Sequence, residues 1–145
     1  MAVSAHVYGL ALESAFGGQI NFTSDTIKVM LCTSSYTPNQ DTHRYKSDIT
    51  NEVSGTGYTA TGATLASAAY SYNSGTHTLS LTGANVSWAA STISAQYAIV
   101  YDSTPATDAT RPLICYINFG ATVSTTAGTF SIVWDASGIA TLAAA

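Results

Sequence analysis

The stretch Gln96–Asp102, QYAIVYD, places Tyr97, Ile99 and Tyr101 on one side of an extended chain and Ala98 and Val100 on the other. Side chains alternate across a strand with period two, so this run reads as a β-strand that is apolar on both faces. Leu113–Phe119, LICYINF, repeats the pattern, with Leu113, Cys115, Ile117 and Phe119 alternating with Ile114, Tyr116 and Asn118. Ile27–Cys32, IKVMLC, does so again: Ile27, Val29 and Leu31 alternate with Lys28, Met30 and Cys32. Strands of this kind are covered on both sides.

Working outward, shorter strands are predicted near Tyr58–Leu65, Ala69–Tyr72, Thr76–Leu81, Val86–Ala89, Thr129–Trp134 and Ile139–Leu142. Asn73-Ser74-Gly75 reads as a hairpin turn, with Gly75 supplying the positive φ. Turn signals every ~8–12 residues belong to a mainly β chain, an antiparallel β-sandwich or barrel-like domain. Trp88, Trp134, Phe119 and Phe130 are the expected aromatic core. Ahead of the strands, Ser4–Phe16 reads as a short helix with Ser4 as N-cap, ended by Gly17-Gly18. Val7, Leu10, Ala11 and Ser14 form one stripe of it, and Tyr8, Leu12, Ala15 and Phe16 another. There is no repeat or linker, so residues 1–145 read as one domain, with an arm and helix in 1–18 and the β domain in 24–142.

Charge is scarce. Asp, Glu, Lys and Arg make up 8% of the chain, against roughly 25% in an average soluble protein. The four basic residues, Lys28, Arg44, Lys46 and Arg111, form no patch that could displace counterions from nucleic acid or bind an anionic membrane surface. No stretch approaches the ~20 apolar residues of a membrane span. Met1–Val7 lacks a basic n-region, which points to synthesis in a cytoplasm, that of a host cell under the resemblance given below. Cys32 and Cys115 sit inside apolar strands and read as small buried hydrophobes; a disulfide requires those strands to be neighbours.

Catalytic patterns are not found. His6, His43 and His77 could serve as bases, with Asp25, Asp48, Asp102 and Asp135 to orient them, but no GxSxG elbow accompanies them. The acids Asp25, Asp102, Asp108 and Asp135 flank strand ends, where Asp bonds the backbone. Gly17-Gly18 has no P-loop spacing, no Cys/His cluster suits zinc, and no Asp cluster suits calcium, short of a single loop-bound ion. Neither a metal nor a cofactor is expected, and the chain is not read as an enzyme.

Ser34–Glu52 is the other distinctive segment: a long polar loop into which Asp41, Arg44, Lys46, Asp48 and Glu52 crowd. Long loops in compact domains are usually functional. Tyr36, Tyr45, Tyr58, Tyr70 and Tyr72 lie in or near loops and polar strands, where tyrosine offers area and one hydrogen bond at low entropic cost.

The string SDTIKVMLCTSSYTPNQDTHRYKSDITNEVSGTGYTATGATL, Ser24–Leu65, resembles a family of small virion proteins of tailed bacteriophages. YAIVYDSTPATDATRPLICYINFG, Tyr97–Gly120, and FSIVWDASGIATL, Phe130–Leu142, are similar to the same family. The resemblance implies a capsid decoration protein on the virion surface, binding the outside of the head, often as trimers, and clamping adjacent major capsid protein subunits. In that role either the arm Met1–Phe16, with Val7 and Tyr8, or the loop Ser34–Glu52 reaches the capsid, with Tyr36, Arg44, Tyr45 and Lys46 as anchors. A tail-associated or host-surface adhesin is the alternative; a wall hydrolase is the third.

Overall fold

The computed structural model describes residues 2–144. Strands follow in the order β1 (Ser4–Val7), β2 (Ile27–Cys32), β3 (Ala63–Thr64), β4 (Ala69–Asn73), β5 (Thr78–Thr82), β6 (Val86–Ser91), β7 (Ser94–Asp102), β8 (Leu113–Ser124), β9 (Gly128–Ile132) and β10 (Ala140–Ala143). One helix, α1 (Gly9–Phe16), separates β1 from β2. Every strand pair is antiparallel.

The three runs that decided the class lie side by side. A five-stranded sheet runs in the order β1-β8-β7-β2-β3, so β7 and β2 sit inside it and β1 is an edge. Below it lie a three-stranded sheet, β10-β5-β4, and a two-stranded one, β6-β9. Ile27, Val29, Leu31, Ala98, Val100 and Ile117 point down onto Leu81, Val86, Trp88, Phe130 and Ile132 and form the main core. Each fully buried aliphatic side chain there contributes ~1.5–3 kcal/mol. Trp88 and Phe130 are buried in it, while Phe119 and Trp134 pack against it half-buried.

The opposite face of the same sheet is also covered. Met30, Cys32, Ile99, Tyr101 and Leu113 form a second core with Tyr8, Ala11 and Tyr36. The cover is α1 plus the loop between β2 and β3, so the domain is a sandwich with a third, thinner layer. Phase along β8 changes at its start: Tyr101 pairs with Leu113 and Val100 with Cys115, which makes Ile114 the extra residue of a bulge. Leu113 therefore joins the upper core, whereas Ile114 and Cys115 join the lower one. Simple alternation had put Leu113 and Cys115 on one face.

Three further expectations are corrected. Ser4–Val7 is not helical, because it pairs with β8 from Ser4↔Asn118 to Val7↔Cys115. The helix begins only at Gly9, with Tyr8 as N-cap and Gln40 supplying the cap contacts: Gly9 N–H donates to the Gln40 carbonyl at 2.9 Å, and Gln40 Nε2 donates to the Val7 carbonyl at 2.9 Å. Of the two stripes read for it, Ala11 and Ser14 are buried, and Leu12 and Phe16 are exposed. Tyr58–Leu65 shrinks to Ala63–Thr64, since Tyr58 is drawn inward: its hydroxyl donates to Glu52 Oε1 at 2.8 Å and accepts from Leu31 N–H at 3.0 Å. In the β4–β5 hairpin the left-handed residue is His77 (φ 53°), not Gly75, while Asn73 Oδ1 accepts the N–H groups of Gly75 and Thr76.

Candidate functional site

The loop from Thr33 to Glu52 leaves and rejoins the sheet at one point. Thr33 N–H donates to the Asn51 carbonyl at 3.0 Å, and Val53 N–H to the Leu31 carbonyl at 2.9 Å. Its middle is stitched to the start of β8: Leu113 N–H donates to the Arg44 carbonyl at 2.8 Å, and Lys46 N–H to the Arg111 carbonyl at 2.9 Å. A 3₁₀ turn at Lys46–Asp48 is capped by Asp48, whose Oδ2 accepts the N–H groups of Arg44 (2.8 Å) and Tyr45 (2.9 Å).

The expected interface residues come together here, but several face inward. Tyr8 and Tyr36 are fully buried. Their hydroxyls meet at 2.8 Å, and that of Tyr36 lies 2.9 Å from His43 Nδ1. Asn39 N–H points at the same Nδ1 from 3.4 Å, so Tyr8, Tyr36 and His43 form one hydrogen-bonded chain beneath the loop. Burial pushes both phenols above their ordinary pKa, and they stay neutral. Lys46 is buried too, its Nζ donating to Asp108 Oδ2 at 2.8 Å. That bond is the main reason the Asp108 carboxyl is held below its usual range; Arg111, 2.8 Å from Oδ1, adds to it. As anchors for a partner, Tyr8, Tyr36 and Lys46 are thus corrected: they hold the loop to the sheet. Val7 is half-buried at the end of β1. Arg44 and Tyr45 keep partial exposure, Arg44 pairing with Glu13 of α1 at 3.2 Å and stacking 5.4 Å from the Tyr45 ring centroid.

A second feature was not read from the sequence. The sandwich is open along one side, where the edge strand β1 faces β9 and β10. The opening is an apolar groove of about 640 Å³. Val3, Ala5 and Val7 form one wall, Ile117 and Phe119 the floor, and Phe130, Ile132 and Ile139 the far side. Val3 (66% exposed) and Val133 (73% exposed) stand on its rims. The signal was present as the alternation in Val3-Ser-Ala-His-Val7, with His6 turned to the other face to stack on Tyr116 at 5.1 Å. Reading those residues as a helix hid it.

Acid–base groups are scattered. His6 Nε2 lies 3.3 Å from Ser4 Oγ, and His77 Nδ1 3.2 Å from the Tyr72 hydroxyl, both on the surface. Among the described residues, no three His, Cys, Asp or Glu side chains stand close enough to hold a metal ion. Cys32 and Cys115 are free: β7 lies between their strands, and they point into opposite cores. Comparison with family models, curated proteins and solved structures returns no match for this chain.

Proposed function

We propose that this chain is a structural subunit of a phage virion that binds the outer surface of the head and reinforces contacts between major capsid subunits. The resemblance of Ser24–Leu65, Tyr97–Gly120 and Phe130–Leu142 to small virion proteins supplies the setting. The observation that carries the reading is the open groove, which is bordered by β1, β9 and β10, each at an edge of its sheet. An edge strand offers unpaired backbone N–H and C=O groups, and an extended peptide adds to it with alternate side chains filling the pockets beside it. The occupant in this reading is an extended segment of a capsid subunit. Few charges surround the groove, so the contact depends little on salt. A subunit that binds only the assembled shell stabilises that shell by mass action. Self-association, as the trimer the resemblance implies, would let one bound unit bridge several capsid subunits.

The test uses heads lacking this protein, to which purified protein is added back and occupancy read by co-sedimentation and imaging. Val3→Asp and Val133→Asp place charges on the exposed rims without touching the core, and are expected to abolish binding. Arg44→Ala and Tyr45→Ala, on the other face, are expected to leave it unchanged. Full occupancy by both rim variants sinks the groove as the contact; loss only with Arg44→Ala or Tyr45→Ala moves the contact to the loop.

One observation favours an adhesin instead. Tyr70 and Tyr72 project from one face of β4, an edge strand exposed along its whole length, and such a pair can stack on sugar rings. Loss of adsorption to host cells with Tyr70→Ala, while heads stay fully decorated by the variant, would favour that reading.

A further inference from the structure

Ala69–Asn73, the strand β4, is exposed at every position, and among the described residues its one neighbour in the sheet is β5. An uncovered edge offers unpaired backbone N–H and C=O groups, and proteins guard such edges with very short strands, charges, proline or bulges. β3, an edge of the large sheet, is guarded in this way, being two residues long. β4 has no such device. It pairs with β5 in unbroken register from Ala69↔Thr82 to Asn73↔Thr78. Its sequence AYSYN contains no proline, and no Asp, Glu, Lys or Arg occurs between Glu52 and Asp102.

The two faces of this edge differ. Tyr70 lies opposite Leu81 and Tyr72 opposite Leu79, and beyond β5 these leucines face Ala140 and Leu142 of β10. Leu81 and Ala140 belong to the main core. The tyrosines thus continue the apolar inner face of the sheet to where it runs out into solvent, at 56% and 54% exposed. Ser71 lies on the outer face in a row of hydroxyls with Ser80 and Thr141. The edge is also symmetric about Ser71, with a tyrosine on either side. Antiparallel pairing with a second copy, its two-fold axis at Ser71, sets Tyr70 against Tyr72 of the second copy at both ends, and Ala69 against Asn73. A shift of one residue sets tyrosine against serine, and a shift of two keeps a single tyrosine pair, so the side chains select one register.

We propose that two copies of this chain join through β4, merging their three-stranded sheets into one continuous sheet across a two-fold axis at Ser71. The opposite edge of that sheet, β10, borders the apolar groove, so the groove stays free and the pairing is independent of head binding. An aromatic side chain buries about 150–250 Å² in full, so four half-exposed rings bury roughly 400 Å². That is well under the ~1,200 Å² of a stable interface, so strand-to-strand hydrogen bonds carry much of the contact and the dimer is weak.

Sedimentation velocity on the purified full chain tests this. The protein is expected to run as a monomer below about 10 μM and mainly as a dimer near about 1 mM. Ser71→Lys and Ser71→Glu each place like charges face to face on the axis, at an exposed position where circular dichroism is expected to stay native. Each variant alone is expected to remain monomeric at about 1 mM, and an equal mixture of the two at low ionic strength is expected to recover the dimer, because opposite charges then meet. A wild type that stays monomeric at about 1 mM overturns the proposal and leaves the tyrosines to another ligand. Association that persists undiminished in both variants, as trimers or otherwise, overturns it by placing the seam elsewhere. A mixture that stays monomeric overturns the two-fold register.

Discussion

The hydroxyls of Tyr8 and Tyr36 meet at 2.8 Å beneath the loop layer, and only one of the two has a second partner. Tyr36 also bonds His43, so Tyr8→Phe leaves every remaining hydroxyl satisfied and is expected to cost about 0.5–1 kcal/mol. Tyr36→Phe strands the buried Tyr8 hydroxyl and is expected to cost about 1–3 kcal/mol. Urea unfolding of both single variants and the double variant checks the order. Equal losses would mean that the His43 bond does not satisfy the Tyr36 hydroxyl once Tyr8 is removed.

Gly62 has φ +80°, and a Cβ there would lie 2.0 Å from the Val29 carbonyl oxygen and 2.6 Å from Met30 Cα. Gly18 has nearly the same φ, +74°, but open space around it. Gly18→Ala therefore carries the left-handed penalty alone, about 1–2 kcal/mol. Gly62→Ala adds displacement of β2's backbone and is expected to exceed it by at least ~2 kcal/mol, read as the difference in thermal or chemical stability.

The Lys46–Asp108 pair gives stability a specific pH dependence. The Asp108 carboxyl is held below its ordinary value, so its contribution is complete above pH ~4 and is lost as pH falls through the lowered pKa. Asp108 is 48% exposed, which limits the contribution to about 1 kcal/mol. Asp108→Asn should lose that amount at pH 7 and converge with the wild type in strong acid. The difference between the two proteins is the quantity to measure, because the buried Asp102 has its pKa shifted upward and so contributes with the opposite sign.

Burial pushes the Cys32 and Cys115 thiols up to about 12, with Glu52 adding to the effect at Cys32. Both are expected to resist thiol reagents near neutral pH in the folded protein and to react together in denaturant. Rapid labelling of Cys32 alone would show that the loop layer opens independently of the main core.

The strands that form the middle of the large sheet were legible because both their faces are apolar. Period two is unambiguous over Gln96–Asp102, and β7 spans Ser94–Asp102. Over Ser4–Val7 it was not, since four residues fit a strand and a helical turn equally well, and the partner that decides, β8, is remote in sequence. The bulge at Ile114 has no local signal; it arises from how β7 and β8 meet. The crowd of charges in Ser34–Glu52 was visible, but not its use. Asp48 caps its own loop, Glu52 bonds Tyr58 and the Thr61 N–H, and the partners of Arg44 and Lys46 are Glu13 and Asp108. Those pairings depend on tertiary placement. The loop therefore reads as an outward arm in the sequence and acts as a cover in the fold.

The pairing of β1 with β8 also bears on when the fold can form. Ser4 is synthesised long before its register partner Asn118. β7 and β8 must be made before β2 and β1 can take their places, so the large sheet waits until β8 has been synthesised. Non-local sheets of this kind fold slowly, over milliseconds to seconds. Throughout that wait the apolar side chains of Val3, Val7 and the IKVMLC strand stay uncovered, which makes the nascent chain a natural client for chaperones and a hazard for aggregation at high expression.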